Sequence, residues 1–265
     1  QPFNQAEVGG LLYPRTAAEV SASVTPVNYE YTSTPIDVLR YGIVPNSTAA
    51  RASNDLAMAA LLNSDSTGPR GRVIFPPVTG DDTYYFSEFF PSRDGIIFDG
   101  MFCTIDFGAK SYAATDDQTA LFYFVRNSGI VNATINMDYD GSAGVHAGNV
   151  IRIGQRDSSG DFFQFGDEDA LSTPMGNITL RNLRITTNNP VNDGAILMFG
   201  GVRDLICENV TINGSDACSY GILYEFGTYD SAPVPDVTAH ASNLIFRNIR
   251  VSNLDDSTYA EGAGI

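Results

Sequence analysis

Short apolar runs recur along residues 93–265, and each carries an Asn or an Asp at its centre. A short apolar strand follows that central residue in each segment. Five segments align in this way, on Asp99, Asn132, Asn182, Asn209 and Asn248. Because successive members lie between 27 and 50 positions apart, the chain is predicted to repeat one structural unit.

A second set of apolar runs falls between the first, at residues 121–124, 150–154, 196–200 and 223–227. Each run has the length of one strand, and no helical pattern separates the strands. A repeat is therefore strand, loop, strand, loop. Neighbouring repeats of this kind stack and bury one continuous core. The pattern predicts an all-β fold, a right-handed parallel β-helix, which is a solenoid.

The chain divides into three predicted parts: an N-terminal connector or cap at residues 1–35, the start of the β-helix with a capping α-helix at 36–92, and the rungs at 93–265. The middle part is predicted to contain a strand at 36–42, a helix at 53–62 and a strand at 71–77 that two prolines end. Ser53 or Asn54 can cap the helix.

The aligned Asn residues are interpreted as a structural ladder and not as a site. A stacked fold repeats the same turn in each rung, and Asn tolerates a left-handed backbone there. We expect this position to bury Asn132 and Asn209. Both belong to Asn-x-Ser/Thr motifs, so their burial would oppose glycosylation.

Acidic residues outnumber basic ones, 31 to 15, which gives a formal net charge of −16. This excess argues against a nucleic acid or an anionic membrane as partner, because phosphate groups need clustered cations. An acidic glycan could bind only through a local patch of arginines. No apolar run is long enough to insert in a membrane.

The chain has three cysteines and two histidines. Cys103 and Cys207 fall inside apolar strands, so we expect them to be buried as small apolar residues. The scarcity of histidine and the lack of a Cys-x-x-Cys motif argue against a zinc site. No metal and no cofactor is expected.

Alternation divides the second set of strands into two faces. Two columns are assigned to the core: Phe122, Ile151, Leu197 and Tyr224, and beside them Phe124, Ile153, Phe199 and Phe226. The column between them points outward and consists of Tyr123, Arg152, Met198 and Glu225. Rungs stack about 4.8 Å apart, so these side chains could together bind sugar rings and hydroxyl groups. An ordinary solvated face is the alternative.

Aspartates follow the ladder residue in the complete repeats: Asp138, Asp140, Asp193, Asp216, Asp255 and Asp256. We expect them to lie in loops and to form an acidic strip along one edge. Glycoside hydrolysis needs two carboxyl groups, about 5 Å apart for retention and roughly 6.5 to 9.5 Å apart for inversion. The catalytic candidates are Asp193 or Asp216 with Glu225. The substrate-binding candidates are Tyr123, Arg152, Asp138 and Asp140. Turn aspartates that serve loop geometry are the alternative.

The order of elements before the rungs resembles a known family. The strand ending in Gly at 38–42, the helix at 53–62 and the strand before two prolines at 73–77 look like the start of the pectate-lyase-like β-helix superfamily. Residues 9–17 resemble the connector that precedes such β-helices in phage tailspike and tail-fibre proteins. The resemblance implies a homotrimer and an extracellular or virion location.

The sequence departs from the usual pattern of that superfamily. Tyr41-Gly42-Ile43 and Ala50-Arg51-Ala52 stand where Asp-Phe-Gly-Ala, a Gly-Asp-Gly-like turn and Asp-Asp are common. The Asp-Asp pair and His-Gly motif of polygalacturonases are missing from the strands. Because the superfamily includes lyases, hydrolases, epimerases and non-catalytic binders, it implies a fold more specifically than an activity.

Three functions agree with these patterns. The first is a tailspike-like glycan depolymerase, which binds a bacterial surface polysaccharide along the β-helix and cleaves it with paired carboxylates. The second is a non-catalytic receptor-binding or structural tail module. The third is a secreted polysaccharide lyase or epimerase. Residues 261–265 match the start of another second-set strand, so we expect the β-helix to continue past Ile265, where some catalytic residues could lie.

Overall fold

The structure of the protein is a computed structural model. It describes residues 36–63, 71–87, 95–110, 120–124, 126–139, 149–153, 176–187, 194–199, 202–218, 220–225 and 242–254, and the single residues Arg15, Val20 and Ser23. The predicted connector at 1–35 otherwise falls outside these residues. The division of the chain into three parts therefore stays a prediction.

Parallel β-strands make up most of the described chain. The strands are β1 (Gly71–Ile74), β2 (Thr83–Tyr85), β3 (Ile96–Asp99), β4 (Thr104–Lys110), β5 (Ala120–Phe124), β6 (Arg126–Tyr139), β7 (Asn149–Ile153), β8 (Gly176–Thr187), β9 (Gly194–Phe199), β10 (Arg203–Cys218), β11 (Tyr220–Glu225) and β12 (Ser242–Leu254). The longer sheet has the order β1-β3-β6-β8-β10-β12, with β4 paired to β6 and β2 to β4. The shorter sheet has the order β11-β9-β7-β5.

From β5 onward the chain alternates between the two sheets. The odd-numbered strands belong to the shorter sheet and the even-numbered strands to the longer one. Each strand therefore pairs, in parallel, with the strand two places away in the sequence. This confirms the predicted all-β class with parallel strands, and it confirms the two alternating sets of strands.

The segment before β1 differs from the prediction. A 3-10 helix at Val38–Tyr41 replaces the strand predicted at 36–42. The side chain of Asp37 accepts a hydrogen bond of 2.8 Å from the backbone N–H of Leu39. Gly42 ends the helix in the left-handed conformation, with φ 89°. Capping by Asp37 thus turns the chain where apolar alternation alone predicted an extended strand.

The predicted helix is present as α1 (Arg51–Asn63). It starts before Ser53 and Asn54, so neither residue is its N-cap. Asn54 is buried, and its side chain accepts from the N–H of Val44 (2.8 Å) and donates to the carbonyls of Val44 (2.9 Å) and Tyr85 (3.0 Å). Asn54 therefore ties the helix to the preceding loop and to β2.

The core lies between the two sheets. Phe98 of β3 and Phe107 of β4 each meet Phe122 of β5 edge to face, with ring centroids 5.6 Å apart. Phe122 also stacks on Phe124, with centroids 6.0 Å apart. All four rings are buried. Edge-to-face contacts stabilise beyond the area that they bury, so aromatic packing joins the two sheets at this end.

Cys103 and Cys207 are buried free thiols, which confirms the prediction for both. Burial raises the pKa of the Cys103 thiol to about 11. Burial likewise raises the pKa of Cys207 to about 12. Both thiols are therefore neutral at pH 7.

A ladder of side-chain amides runs through the longer sheet. The Nδ2 atom of Asn182 donates to Oδ1 of Asn132 (2.8 Å), that of Asn209 to Asn182 (3.0 Å) and that of Asn248 to Asn209 (2.9 Å). All four residues have φ between 52° and 56°, the left-handed region that Asn tolerates. The interpretation of these residues as a structural ladder is confirmed.

The first rung departs from the predicted alignment by one residue. Asp99 pairs with Val131 and not with Asn132. Its Oδ1 still accepts from Asn132 Nδ2 (3.1 Å) and from the N–H of Met101 (3.0 Å). Arg72 Nη2 lies 2.5 Å from its Oδ2. Because a carboxylate accepts hydrogen bonds and cannot donate one, Asp99 can only begin the ladder.

The expected burial of the ladder is wrong for Asn209, which is exposed, and Asn132 is half-buried. Each nevertheless commits its Nδ2 to the preceding rung. An N-linked glycan attaches to that same nitrogen. Ladder bonding, and not burial, therefore opposes glycosylation at both positions.

Two separate pairs of the same kind lie five residues before the first ladder, and the repeat alignment misses them. Asn177 donates to Asn127 (2.9 Å) and Asn243 donates to Asp204 (2.8 Å). All four residues have positive φ. The signal is present in the sequence, since an Asn or Asp stands five positions before each Asn of the first ladder.

Candidate functional site

Charged side chains line the outer face of the longer sheet on β8, β10 and β12. Before the ladder residue, the register aligns Arg181, Glu208 and Arg247. After it, the register aligns Arg184, Thr211 and Arg250. The four arginines are exposed. We call Arg181, Arg184, Arg247 and Arg250 the arginine face.

Glu208 lies between two of these arginines and pairs with both. Its Oε2 is 3.0 Å from Nε of Arg181, and its Oε1 is 3.1 Å from Nη1 of Arg247. The two arginine side chains remain 44% and 65% exposed. Pairs this exposed contribute little stability, about 0 to 1 kcal/mol each. Their effect is geometric, because Glu208 holds both guanidinium groups at fixed positions on the surface.

Arg184 and Arg250 have different surroundings. Neither forms an ion pair or a side-chain hydrogen bond with any residue that the structure describes. Thr211 separates them in their column, so their backbones lie two strand spacings apart, which is about 10 Å. Two guanidinium groups without a neutralising neighbour in the described chain thus stand on one face of a protein with net charge −16.

An exposed aromatic ring stands at the other end of the longer sheet. Phe102, between β3 and β4, is 75% exposed. Met101 and Phe102 have φ of 47° and 69°, and the N–H of Phe102 donates to the carbonyl of Asn132 (2.6 Å). Consecutive non-glycine residues with positive φ are uncommon, and here they turn the ring outward. Such a ring can stack on the apolar face of a sugar.

The outward column predicted for the shorter sheet is not formed. Tyr123 lies opposite Arg152, as predicted. Met198, however, pairs with Ile153 and not with Arg152. The row of Arg152 continues through Leu197 to Leu223, and Glu225 stands two residues after Leu223. Met198 is therefore shifted by one residue, into the row next to that of Arg152. The four predicted residues therefore do not share one row.

Arg152 is also buried. It is 0% exposed, and every residue of β7 is buried. Because both faces of β7 are covered, a polar residue in its sequence does not mark a face that is exposed to solvent. Arg152 interacts with other groups of the protein, as a buried cation must. The predicted outward position of Arg152 is therefore wrong, and its role in substrate binding stays a prediction.

The predicted acidic residues do not all lie in loops. Asp138 belongs to β6 and Asp216 belongs to β10, at a point where pairing with β12 shifts its register. The loop assignment is wrong for these two because the chain passes the left-handed ladder residue and continues as strand, for 14 residues in β6 and 16 in β10. Four predicted acids lie outside the described residues: Asp140, Asp193, Asp255 and Asp256. The catalytic pairing of Asp193 or Asp216 with Glu225 stays a prediction.

Among the described residues, no three His, Cys, Asp or Glu side chains are grouped so that they could hold a metal ion. In the same part of the chain, no helix has the length and apolarity needed to cross a membrane.

No protein-family model matches this chain, and no curated protein matches it. A structural similarity is found to a candidate glycosyl hydrolase from Parabacteroides merdae ATCC 43184, known from a crystal structure at 1.95 Å resolution. The similarity covers 81% of this chain and 94% of that chain, with 13% sequence identity and a TM-score of 0.32. A TM-score this low supports no conclusion about the fold or the activity of this chain.

Proposed function

We propose that this protein is a right-handed parallel β-helix that binds polysaccharide along the outer face of the longer sheet and cleaves it with paired carboxylates. The alternation of strands between two parallel sheets supports the β-helix. From β5 onward, each connection between parallel neighbours passes through the other sheet. Crossovers between parallel strands are right-handed in nearly all proteins.

The single observation that carries polysaccharide binding is the exposed, repeating polar face of the longer sheet. Hydrogen-bonding groups recur there at the strand spacing of about 4.8 Å: the ladder amides, Thr211 and the arginine face. A sugar chain presents hydroxyl groups at regular intervals, and amide and guanidinium groups can bond two of them at once. Phe102 adds a ring for stacking at the far end of the same sheet.

Paired carboxylates supply the cleavage in this proposal. One carboxyl group acts as general acid, and the second acts as base or nucleophile. We assign these roles to Glu225 of β11 with Asp216 of β10 or with Asp193. Further candidates for substrate binding are Tyr123, Asp138 and Asp140.

The resemblance of the N-terminal segment supports a tailspike-like role. In that role the protein is a homotrimer in the virion or outside the cell, and it acts on bacterial surface polysaccharide. Size-exclusion chromatography with light scattering tests the trimer directly.

The cleavage is tested by incubating the protein with capsular and O-antigen polysaccharides and measuring new reducing ends. We expect a fall of roughly a hundredfold or more in Asp216→Asn and Glu225→Gln, the size of a lost acid or base. Asp81→Asn removes an exposed carboxylate elsewhere and should keep full activity. Full activity in both site variants would exclude this pair and leave Asp193→Asn to test. An unsaturated uronate among the products would identify a lyase.

A non-catalytic receptor-binding module is the second candidate. One observation favours it: Glu208, the carboxylate within the arginine face, is held by two arginines and so is committed to positioning them. Tight polysaccharide binding without release of reducing ends would establish this candidate over the depolymerase.

A further inference from the structure

The arginine face has no part in the carboxylate chemistry proposed above. It gathers four of the 15 basic residues of the chain on β8 and β12, the two strands that flank Glu208 of β10. A cluster of cations is unexpected on the surface of a chain with a net charge of −16, so we ask which interaction it serves. Within the described part of the chain, surface ion pairing accounts for Arg181 and Arg247 but not for Arg184 and Arg250.

We propose that the arginine face binds an acidic polysaccharide, whose carboxylate or sulfate groups are held by Arg184 and Arg250. The inference rests on the proposed polysaccharide binding, because it names the substrate class of that same face. Arginine suits this role better than lysine, since its planar fork donates two parallel hydrogen bonds to one carboxylate or sulfate.

The two columns of the arginine face play different parts. Glu208 occupies Nε of Arg181 and Nη1 of Arg247, and each guanidinium keeps further N–H groups for a ligand. In the other column, Arg184 and Arg250 flank Thr211, whose hydroxyl can bond a sugar between them. A glycan laid across the strands would meet a guanidinium every two strands, about 10 Å apart.

An acidic glycan fits this face better than a nucleic acid does. Charge alone does not separate the two, because both are polyanions that the net negative charge of the protein repels. Proteins that bind single strands also stack bases on aromatic side chains. The one aromatic residue of β8, β10 and β12 is Phe246, which packs against the core and not on the arginine face.

The test is binding at low salt to three acidic polysaccharides (polygalacturonate, hyaluronan and dextran sulfate) and to neutral dextran. We expect an acidic polysaccharide to bind more tightly than dextran, and added salt to weaken it because the contacts are exposed. The double variant Arg184→Gln/Arg250→Gln should bind roughly tenfold more weakly, the equivalent of one charged hydrogen bond. Lysine at both positions should give an intermediate loss.

One further variant serves as the control. Arg72→Gln removes one positive charge on β1, half the change of charge in the double variant, at three strands from β8, and should leave the binding unchanged. Circular dichroism checks that each variant folds.

The outcomes separate this inference from the proposed function. Loss of binding in the double variant, with none in Arg72→Gln, supports the inference. Equal binding of dextran and acidic glycans, unaffected by the double variant, overturns the acidic substrate class and leaves polysaccharide binding intact. No binding to any polysaccharide contradicts both. Tighter binding of a single-stranded DNA oligonucleotide than of all three polyanions would replace the glycan by a nucleic acid.

Discussion

The two sheets of this protein fix their registers in different ways. In the longer sheet, Asn132, Asn182, Asn209 and Asn248 bond side chain to side chain across successive strands. The columns of the shorter sheet repeat no Asn or Asp: one column is Phe122, Ile151, Ile196 and Ile222, and the next is Tyr123, Arg152, Leu197 and Leu223. One sheet is aligned by a directional polar contact, whereas the columns of the other consist mainly of apolar residues.

The difference shows which kind of side chain allows the register of a sheet to be predicted from its sequence. A ladder amide must meet the next amide, so a slip by one residue would break a hydrogen bond on each side. Apolar side chains pack acceptably in more than one alignment, because dispersion and burial have no direction. The longer sheet therefore reveals its register in the sequence, and the shorter sheet does not.

Substitutions in the contact between the two sheets should lower the free energy of unfolding the most. Phe122→Ala removes a fully buried ring that meets Phe98, Phe107 and Phe124, so we expect a loss of about 3 to 5 kcal/mol in the free energy of unfolding. Phe102→Ala removes an exposed ring and should change it by less than about 0.5 kcal/mol. Urea denaturation measures both. Equal effects of the two substitutions would contradict a core placed between the sheets.

The ladder should matter less than the core, but its effect should depend on position. Asn182→Ala removes one donated and one accepted hydrogen bond and places Ala at positive φ, for a loss of about 2 kcal/mol. Asn182→Gly keeps the conformation accessible and should recover part of that loss. Asn248→Ala also places Ala at positive φ but loses one ladder bond instead of two, so it should cost about 1 kcal/mol less than Asn182→Ala. Denaturation midpoints that do not follow this order would show that the ladder does not stabilise the fold.

Much of the longer sheet follows from its sequence because Asn at positive φ is a strong local constraint. The same reasoning applied five residues earlier would have found the two further pairs, Asn127 with Asn177 and Asp204 with Asn243. It fails where a side chain bonds its own backbone. Asp37 caps a 3-10 helix in a segment whose apolar pattern predicts a strand. It also fails by one residue at Asp99, where the chain turns at Met101 and Phe102 instead.

The residues of the candidate site also differ in how well the sequence predicts them. The arginine face could be found in the sequence, since Arg181, Arg184, Arg247 and Arg250 stand at equal distances from aligned ladder residues. The predicted column at Arg152 could not be checked in this way, because its burial depends on what covers the outer face of β7. That cover comes from elsewhere in the chain, and no local pattern encodes it.

A buried thiol in the longer sheet gives a pH test of its packing. The pKa of Cys207 is raised to about 12 by burial, from an ordinary value near 9, so the folded protein keeps the proton longer than the unfolded chain. Its contribution to stability is present below pH 9 and is lost as the pH rises toward 12. Between pH 8 and 10 we expect the free energy of unfolding to fall by about 1 kcal/mol from this group. Cys207→Ala should flatten that fall, and an unchanged slope would show that the thiol is open to solvent.

Arginine labelling compares the two sheets without disturbing either of them. A dicarbonyl reagent modifies a guanidinium only where it can reach it, so Arg184 and Arg250 should react rapidly in the native protein. Arg152 should be protected until denaturant is added, because it is 0% exposed. Mass spectrometry of proteolytic fragments measures the rate at each position, with the denatured protein as the reference. If Arg152 reacts as fast as Arg184, the outer face of the shorter sheet is open there, and the predicted sugar-binding role of Arg152 returns. If it is protected, a glycan from solvent meets arginine on the longer sheet, where the register places Arg184 and Arg250 in one column.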